Sequence, residues 1–555
     1  MNKENNINLI FSNMELVPKQ NEIIIFPDKD NWNDFGHRIK CNFVINHASK
    51  KNEIYRDTIF FGFQLKKNKE ISNINTDSSI ISTNELKNLS SIFNETKENS
   101  LSKENMPDFF TMLPNMQSYR KLVHFYGVKL ANELLLIMND LVVRKQKNKH
   151  DEWVKNAIET SVFKFGFMRN SEPFFAYSNA DSILNGLTEE KFDNISNNLT
   201  LTFKLSNFAN EHNINLKYSH NSLIPKRINI LIGKNGLGKS QALNKFCRSA
   251  LRYKNEEHFL IDENSFGSRP MINRLLAIGT PGETSNTFPV ERLSSQKLYY
   301  RRLNLTRNNR TSNSRNTIEL LVQLARSEEY IGDSDRWNIF VTSLNKAFEN
   351  ITISLLLKNG SYCSINDLDK NRGEAHRLEL FSNLDYSSEP FVFSEGTHSP
   401  LSSGQLTFFK FALLSSLFIE NGSFVLMDEP ETHMHPNLIS DFINLLDFLL
   451  EKTGSFALLA THSAYLVREV SREQVHVFKV DEEKNISIVQ PRLRTFGANV
   501  DRISEFVFED NIENKLIEKI LRKIKNRSFN SIDDEIGNEI SLPSLMAIKR
   551  YIEKN

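Results

Sequence analysis

The sequence predicts an α/β fold built on a mixed sheet, with a β-rich and helical extension ahead of it and a helical tail behind. Three apolar runs predict it. Ile228, Ile230, Leu231 and Ile232 lead into the glycine loop GKNGLGKS (Gly233–Ser240), and Ser240–Leu251 continues as a helix. A second run ends on carboxylates in FVLMDEPE (Phe424–Glu431), and a third, Phe456–Ala460, ends in ATHS (Ala460–Ser463). Strands buried on both faces read as continuous apolar runs, and binding groups collect at their C-terminal ends.

The loop between strand and helix has the composition that phosphate binding requires. Gly233, Gly236 and Gly238 let the backbone wrap an anion, Asn235 is a phosphate-binding candidate within the same loop, and Lys239 can reach β and γ phosphates. The Ser240 hydroxyl is a Mg²⁺ ligand candidate, and Gln241 sits in the helix's first turn, where amides face the same anion. ATP or GTP with Mg²⁺ is the expected ligand. Asp428 is placed to hold the Mg²⁺ shell, Glu429 to polarise an attacking water, and His462 to contact the γ-phosphate. A strand-end histidine also fits a hydrogen-bonded core residue.

LSSGQ (Leu401–Gln405) precedes a predicted helix, Leu406–Ile419, and a turn at Asn421 and Gly422. Ser402 or Ser403 is also a good helix N-cap, which does not compete with a functional role. With DEPE and ATHS, the block resembles the ABC-type ATPase head over roughly residues 202–490. That resemblance implies ATP and Mg²⁺ as cofactors and a signature made of Ser402, Ser403, Gly404 and Gln405. It implies that Ser403 and Gly404 contact the γ-phosphate bound by the opposite subunit, in a homodimer or higher even oligomer. The ETHMHP stretch (Glu431–Pro436) resembles the ELHLHP of the soluble branch containing SMC, RecF and OLD proteins, and it is expected to couple two active sites. His433 and His435 have no Cys or third His nearby to complete a metal site.

In overall layout the chain is most similar to the PtuA family of Septu-type phage defence, including retron-linked forms. That likeness implies a separate nuclease effector of HNH type and, in retron-linked forms, a reverse-transcriptase complex. The other reading is a RecF- or SMC-like ATPase that clamps DNA during repair.

Composition sets bounds on both readings. The chain has 555 residues, 25% of them charged, with a net charge of only +1, so any nucleic-acid contact needs a local patch. One such patch is Lys297–Ile318, with Arg301, Arg302, Arg307, Arg310 and Arg315 interleaved with Tyr299 and Tyr300. It can neutralise phosphates and stack bases, or it can be a solvated or partner-docking loop. The opening MNKENNINLI is polar, no run of about 18 uncharged apolar residues occurs, and Cys41, Cys247 and Cys363 lack zinc or redox spacing. A cytoplasmic protein without a membrane partner is expected. Beyond His462 no Glu-then-DxD, HNH-like or G-x-S-x-G pattern occurs.

The remaining elements follow in order. Residues 1–115 are expected to be β-rich, from the alternation of Ile39, Cys41, Phe43, Ile45 and of Ile59, Phe61, Phe63, Leu65, with a mobile polar loop at Lys66–Asn105. Residues 116–200 are expected to begin with one long helix, Ser118–Lys145, on the face of Leu122, Tyr126, Leu130, Leu134, Ile137 and Leu141. Phe163–Met168, Leu199–Leu205 and Ile214–Tyr218 read as strands. The head, 201–490, carries a compact insert at about 275–375. In this region a strand at Leu275–Ile278, helices at Ile318–Ser327 and Asp335–Glu349, and a strand at Ile351–Leu357 are expected, without sustained heptads. Val475–Val480 and Ile486–Val489 read as a hairpin, and 491–555 as a tail with an amphipathic helix on Leu516, Ile517, Ile520, Leu521 and Ile524.

Overall fold

A computed structural model of the chain describes residues 7–28, 38–50, 53–64, 85–96, 99–148, 151–186, 194–205, 208, 210–251, 258–262, 270–280, 287–291, 297–305, 316–348, 351–369, 373–480, 485–508, 528–540 and 542–554. The first six strands are β1 (Asn8–Ser12), β2 (Glu22–Pro27), β3 (Lys40–Asn46), β4 (Tyr55–Phe63), β5 (Ser100–Ser102) and β6 (Phe109–Met112). They form one sheet in the order β5-β1-β2-β3-β4-β6. Its apolar face shares a single core with the helices that follow, running from Leu9 and Phe11 to Ile183 and Leu184.

Three expectations for this region need correction, and two lie outside the described residues. Within the polar stretch 66–105, Glu85–Thr96 is a helix and Ser100–Ser102 pairs with β1, because Leu89, Phe93 and Leu101 bury against the sheet. The predicted long helix is broken: Met116–Ile137 contains Gly127 at φ +77°, and Asp140 caps a new helix, Leu141–Lys147. Phe163–Met168 is not a strand but two helical turns, since Phe163 and Phe167 bury on one face four residues apart while Phe165 is exposed. Leu65 and residues 66–84 lie outside the described residues, as does the predicted amphipathic helix around Leu516–Ile524. The tail forms helices at Val500–Phe508, Phe529–Ile536 and Leu542–Lys554.

The centre of the molecule is a seven-stranded sheet. Its strands are β9 (Ile228–Gly233), β11 (Arg274–Gly279), β12 (Tyr299–Asn304), β19 (Ser423–Asp428), β20 (Phe456–Thr461), β21 (Val475–Val480) and β22 (Ile486–Val489). The order is β12-β11-β19-β20-β9-β21-β22, parallel throughout except for the β21–β22 hairpin, as a mixed sheet requires. Side chains alternate between two cores. Ile228, Ile230, Ile232, Val425, Met427, Ala457 and Leu459 face one, around the helix Ser403–Phe418; Leu231, Phe424, Leu426, Leu458 and Ala460 face the other, around the helix Lys239–Leu251. Apolar runs without polar alternation are the sequence trace of this double burial.

A small antiparallel sheet, β7 (Asn198–Lys204), β8 (Glu211–Lys217) and β10 (Phe259–Asp262), covers the second core. On the first core lie the helices Thr317–Arg326 and Arg336–Ala347, the short hairpin β13 (Tyr330–Ile331) and β14 (Ser334–Asp335), and a four-stranded sheet. That sheet consists of β15 (Thr352–Leu356), β16 (Tyr362–Ser364), β17 (Phe391–Ser394) and β18 (Thr397–Pro400), in the order β16-β15-β17-β18. Of the expected insert, the stretch up to residue 304 supplies β11 and the edge strand β12 of the central sheet.

One buried charged cluster ties the N-terminal region to this core. Arg120, from the helix Met116–Ile137, lies 3.2 Å from Glu420, and Arg336 lies 2.8 Å from the other Glu420 oxygen. Arg120 also donates to Asn421, and Arg336 to the carbonyls of Ser416 and Ile419, both at 2.7 Å. Burial alone pushes the Glu420 carboxyl up, but the guanidiniums of Arg120, Arg336 and Arg274 outweigh it and hold the group at about 2. The cluster sits where the helix Ser403–Phe418 hands over to β19.

Candidate nucleotide site

β9 ends in a loop that turns directly into the helix Lys239–Leu251. Gly238 has φ +91°, and a Cβ there would lie 2.7 Å from the Leu205 side chain, so only glycine fits. Asn235, Gly236 and Gln241 are exposed around the loop. The Lys239 ammonium is buried inside it, donating to the carbonyls of Gly233 at 3.0 Å and Lys234 at 3.1 Å.

The C-terminal ends of the neighbouring parallel strands converge on this loop. Ser240 Oγ donates to Asp428 Oδ1 at 3.1 Å, and Thr287 Oγ1 donates to Asp428 Oδ2 at 2.9 Å. Asp428 is buried at the end of β19. A carboxylate and a hydroxyl side by side at a helix N-terminus form a hard-oxygen donor set that suits Mg²⁺ with a nucleotide phosphate. Thr287 escaped sequence reasoning, because nothing in its residue type or spacing marks it.

Glu429 follows at φ +48°, a left-handed conformation that costs a non-glycine residue about 1–3 kcal/mol. Its N–H is held by the Ala460 carbonyl at 2.8 Å, and its Oε1 lies 3.1 Å from His462 Nε2. Burial pushes the His462 imidazole down and nearby Lys239 adds to this, while a hydrogen bond to the Gly233 backbone opposes them; the result is about 4. The ring is therefore neutral near pH 7, so its contact with Glu429 is not an ion pair. A neutral ring has one N–H, which it can give to Glu429 or to the Gly233 carbonyl, but not to both.

Glu431 is a second residue that sequence reasoning did not single out. Its Oε1 accepts from the Thr461 hydroxyl and from the His462 N–H at 3.0 Å, pinning the turn that carries His462. Burial raises its carboxyl pKa against these hydrogen bonds. The only trace in the sequence is its place two residues after Glu429, on the far side of Pro430.

Ser402 caps the helix Ser403–Phe418 in a reciprocal box: its Oγ accepts from Gln405 N at 3.3 Å, and Gln405 Oε1 accepts from Ser402 N at 2.9 Å. Ser402 and Ser403 are exposed, whereas Gly404 is buried against its own chain. A Cβ on Gly404 would lie 2.5 Å from the His433 carbonyl oxygen. The stretch Glu431–Pro436 thus touches the His462 turn at one end and the Gly404 backbone in its middle. His433 and His435 are exposed, His435 capping the helix Pro436–Thr453. No group of three or more potential metal-ligating His, Cys, Asp or Glu residues occurs among the described residues.

The expectation of a basic loop is corrected for Lys297–Leu305. Arg301 and Arg302 lie on β12, paired in register with β11, because Tyr300 and Leu305 bury beside them. Glu291 meets both: Arg301 Nη1 at 3.3 Å and the Arg302 N–H at 2.7 Å. Arg307, Arg310 and Arg315 lie outside the described residues. Among the described residues no helix is long and apolar enough to cross a membrane.

Residues 228–468 match the family model described as "AAA domain, putative AbiEii toxin, Type IV TA system". Protein ea59 of Escherichia phage lambda is 25% identical over 451 residues, covering 79% of this chain and 80% of that protein. Among solved structures, the SMC head domain from Thermotoga maritima is 14% identical and covers 53% of this chain and 99% of that one, with a TM-score of 0.27. The cbiO1 protein of Clostridium perfringens, part of the ABC transporter complex cbiONQ, is 15% identical and covers 59% and 94%, with a TM-score of 0.29. The strand–loop–helix unit around Lys239 and the strand ends that carry Asp428 and His462 all lie within the matched stretch, residues 228–468.

Proposed function

We propose that this chain is an ABC-type, ATP- and Mg²⁺-dependent ATPase whose nucleotide sites are completed across a head-to-head pair, and that it controls a separate nuclease in phage defence. The observation that carries the ATPase reading is the convergence of Lys239, Ser240, Asp428, Glu429 and His462 at the C-terminal ends of the central parallel strands. Lys239 and the loop amides would bind the β and γ phosphates. Ser240 and Asp428 would hold Mg²⁺, which supplies charge neutralisation at the transferring phosphoryl group. Glu429 would orient the attacking water and accept its proton, and neutral His462 would offer an N–H to the γ-phosphate oxygens.

The exposure of Ser402 and Ser403 supports pairing. Both side chains are open to a second copy, while Gly404 lets the loop seat closely on His433. The defence role is supported by the matched family's description, which names a toxin. The Glu291 carboxylate beside the Arg301 guanidinium, and the Phe288 carbonyl that takes up the Arg302 guanidinium, weigh against a DNA-clamping surface there. Phosphate release with ATP, and its loss in Glu429→Gln with retained ATP binding, tests the enzymatic part. Co-purification of a nuclease with the full chain tests the partner. An ATP-inert parent protein would end the first, and a chain isolated alone under conditions that preserve complexes would end the second.

A further inference from the structure

The outward face of the four-stranded sheet β15–β18 carries an aromatic cluster that the ATPase reading leaves unused. Val392, Leu355 and Cys363 point into the core, so their neighbours along the strands point out. Tyr362 and His398 stack with ring centroids 3.8 Å apart and planes 7° from parallel. Phe391 meets Tyr362 edge-on at 5.3 Å, and Phe393 lies 4.7 Å from His398. Tyr362 and Phe393 are 37% and 39% exposed, and every residue of β18 is exposed. Four rings held at the surface of a folded sheet constitute a preformed stacking platform.

Two features on this face indicate what it takes. β18 ends at Pro400, and the chain continues through Leu401 into Ser402 and Ser403 without an intervening element. His398 is thus at most about 18 Å along an extended chain from Ser403, comparable with the length of a nucleoside triphosphate. The hairpin from Glu389 to Pro400 contains two glutamates and no lysine or arginine. A polyanionic strand would find no phosphate partner on it, whereas a single base whose phosphates are held elsewhere needs none.

We infer that Tyr362, Phe393 and His398 form a stacking surface for the purine base of the nucleotide held by a second copy of the chain, whose γ-phosphate Ser403 meets. This rests on the pairing proposed above and deepens it: the signature side of one copy would read both ends of the nucleotide bound to the other.

The test compares ATP with inorganic triphosphate, which has phosphates but no base, on full-length protein. The double variant Tyr362→Ala/His398→Ala is expected to raise the KM for ATP about tenfold, the scale of one lost base stack. The inhibition constant of inorganic triphosphate is expected to stay where it was, and Tyr362→Phe is expected to restore most of the ATP affinity. Circular dichroism checks that the variants fold. An unchanged KM for ATP, or an equal loss of ATP and inorganic triphosphate, would overturn the base assignment. A parent that turns over ATP and pairs normally beside such a variant leaves the ATPase reading standing; a parent inert to ATP overturns both.

Discussion

Ser240 Oγ donates to Asp428 Oδ1 across 3.1 Å, joining the first turn of the loop's helix to the end of β19, 188 residues further along the chain. Thr287 occupies the other Asp428 oxygen at 2.9 Å, so the carboxylate is oriented from both sides before any ligand arrives. Asp428→Asn keeps the volume and removes the charge. Its ATP turnover should fall by roughly 100-fold, the scale seen when one transition-state contact is lost. Steady-state phosphate release with Mg²⁺ titrated at fixed ATP measures it, and Thr287→Val should give a smaller loss.

His462 sets the acid side of the pH profile. Its folded pKa of about 4 is below the ordinary histidine value of about 6.5, so the neutral form is the folded one. The stability it contributes is present above about 6.5 and is lost as pH falls from there through about 4. Turnover should show no acid limb near 6.5 from this residue, and a plateau down to pH 5 would bear that out. A break at 6.5 that vanishes in His462→Gln would contradict it.

Glu420 should be among the most costly residues to neutralise. Its carboxyl is held at about 2 by Arg120, Arg336 and Arg274, below the unfolded value of about 4.3. The stability it contributes is therefore present above about 4.3 and is lost as pH falls through about 2. Glu420→Gln leaves buried guanidiniums without their counter-charge and should destabilise the chain by about 3–5 kcal/mol. Urea unfolding of the variant against the parent at pH 7 reads this directly.

Gly404→Ala tests the seat of the signature loop. The added methyl would fall 2.5 Å from the His433 carbonyl oxygen, so the backbone must shift. ATP-dependent pairing should be lost while nucleotide binding to the Lys239 loop persists, as separated by size-exclusion chromatography and a fluorescent-nucleotide titration.

The central sheet and its site residues were legible because double burial writes continuous apolar runs, and each run ends on a polar block. The edges were less legible. β12 carries Arg301 and Arg302 in a polar stretch, and only its register with β11 and the carboxylate of Glu291 make it a strand. Phe163 and Phe167 looked like strand residues because short apolar runs do not distinguish a turn of helix from a strand. Gly127 gave no warning, since an isolated glycine in a helical pattern is usually tolerated. Thr287 and Glu431 act through tertiary hydrogen bonds, which no local pattern encodes.

The central claim is that Ser403 of one copy meets the nucleotide held by Lys239 of another. Cys41, Cys247 and Cys363 are all buried, which makes introduced surface cysteines selective targets. In a Glu429→Gln background, one chain carries Asn235→Cys and a second carries Ser403→Cys, and the two are mixed and treated with a short bis-maleimide. The account predicts a covalent pair that forms with ATP and not without it. No ATP-dependent pair, together with efficient linkage inside a single chain carrying both cysteines, would contradict it.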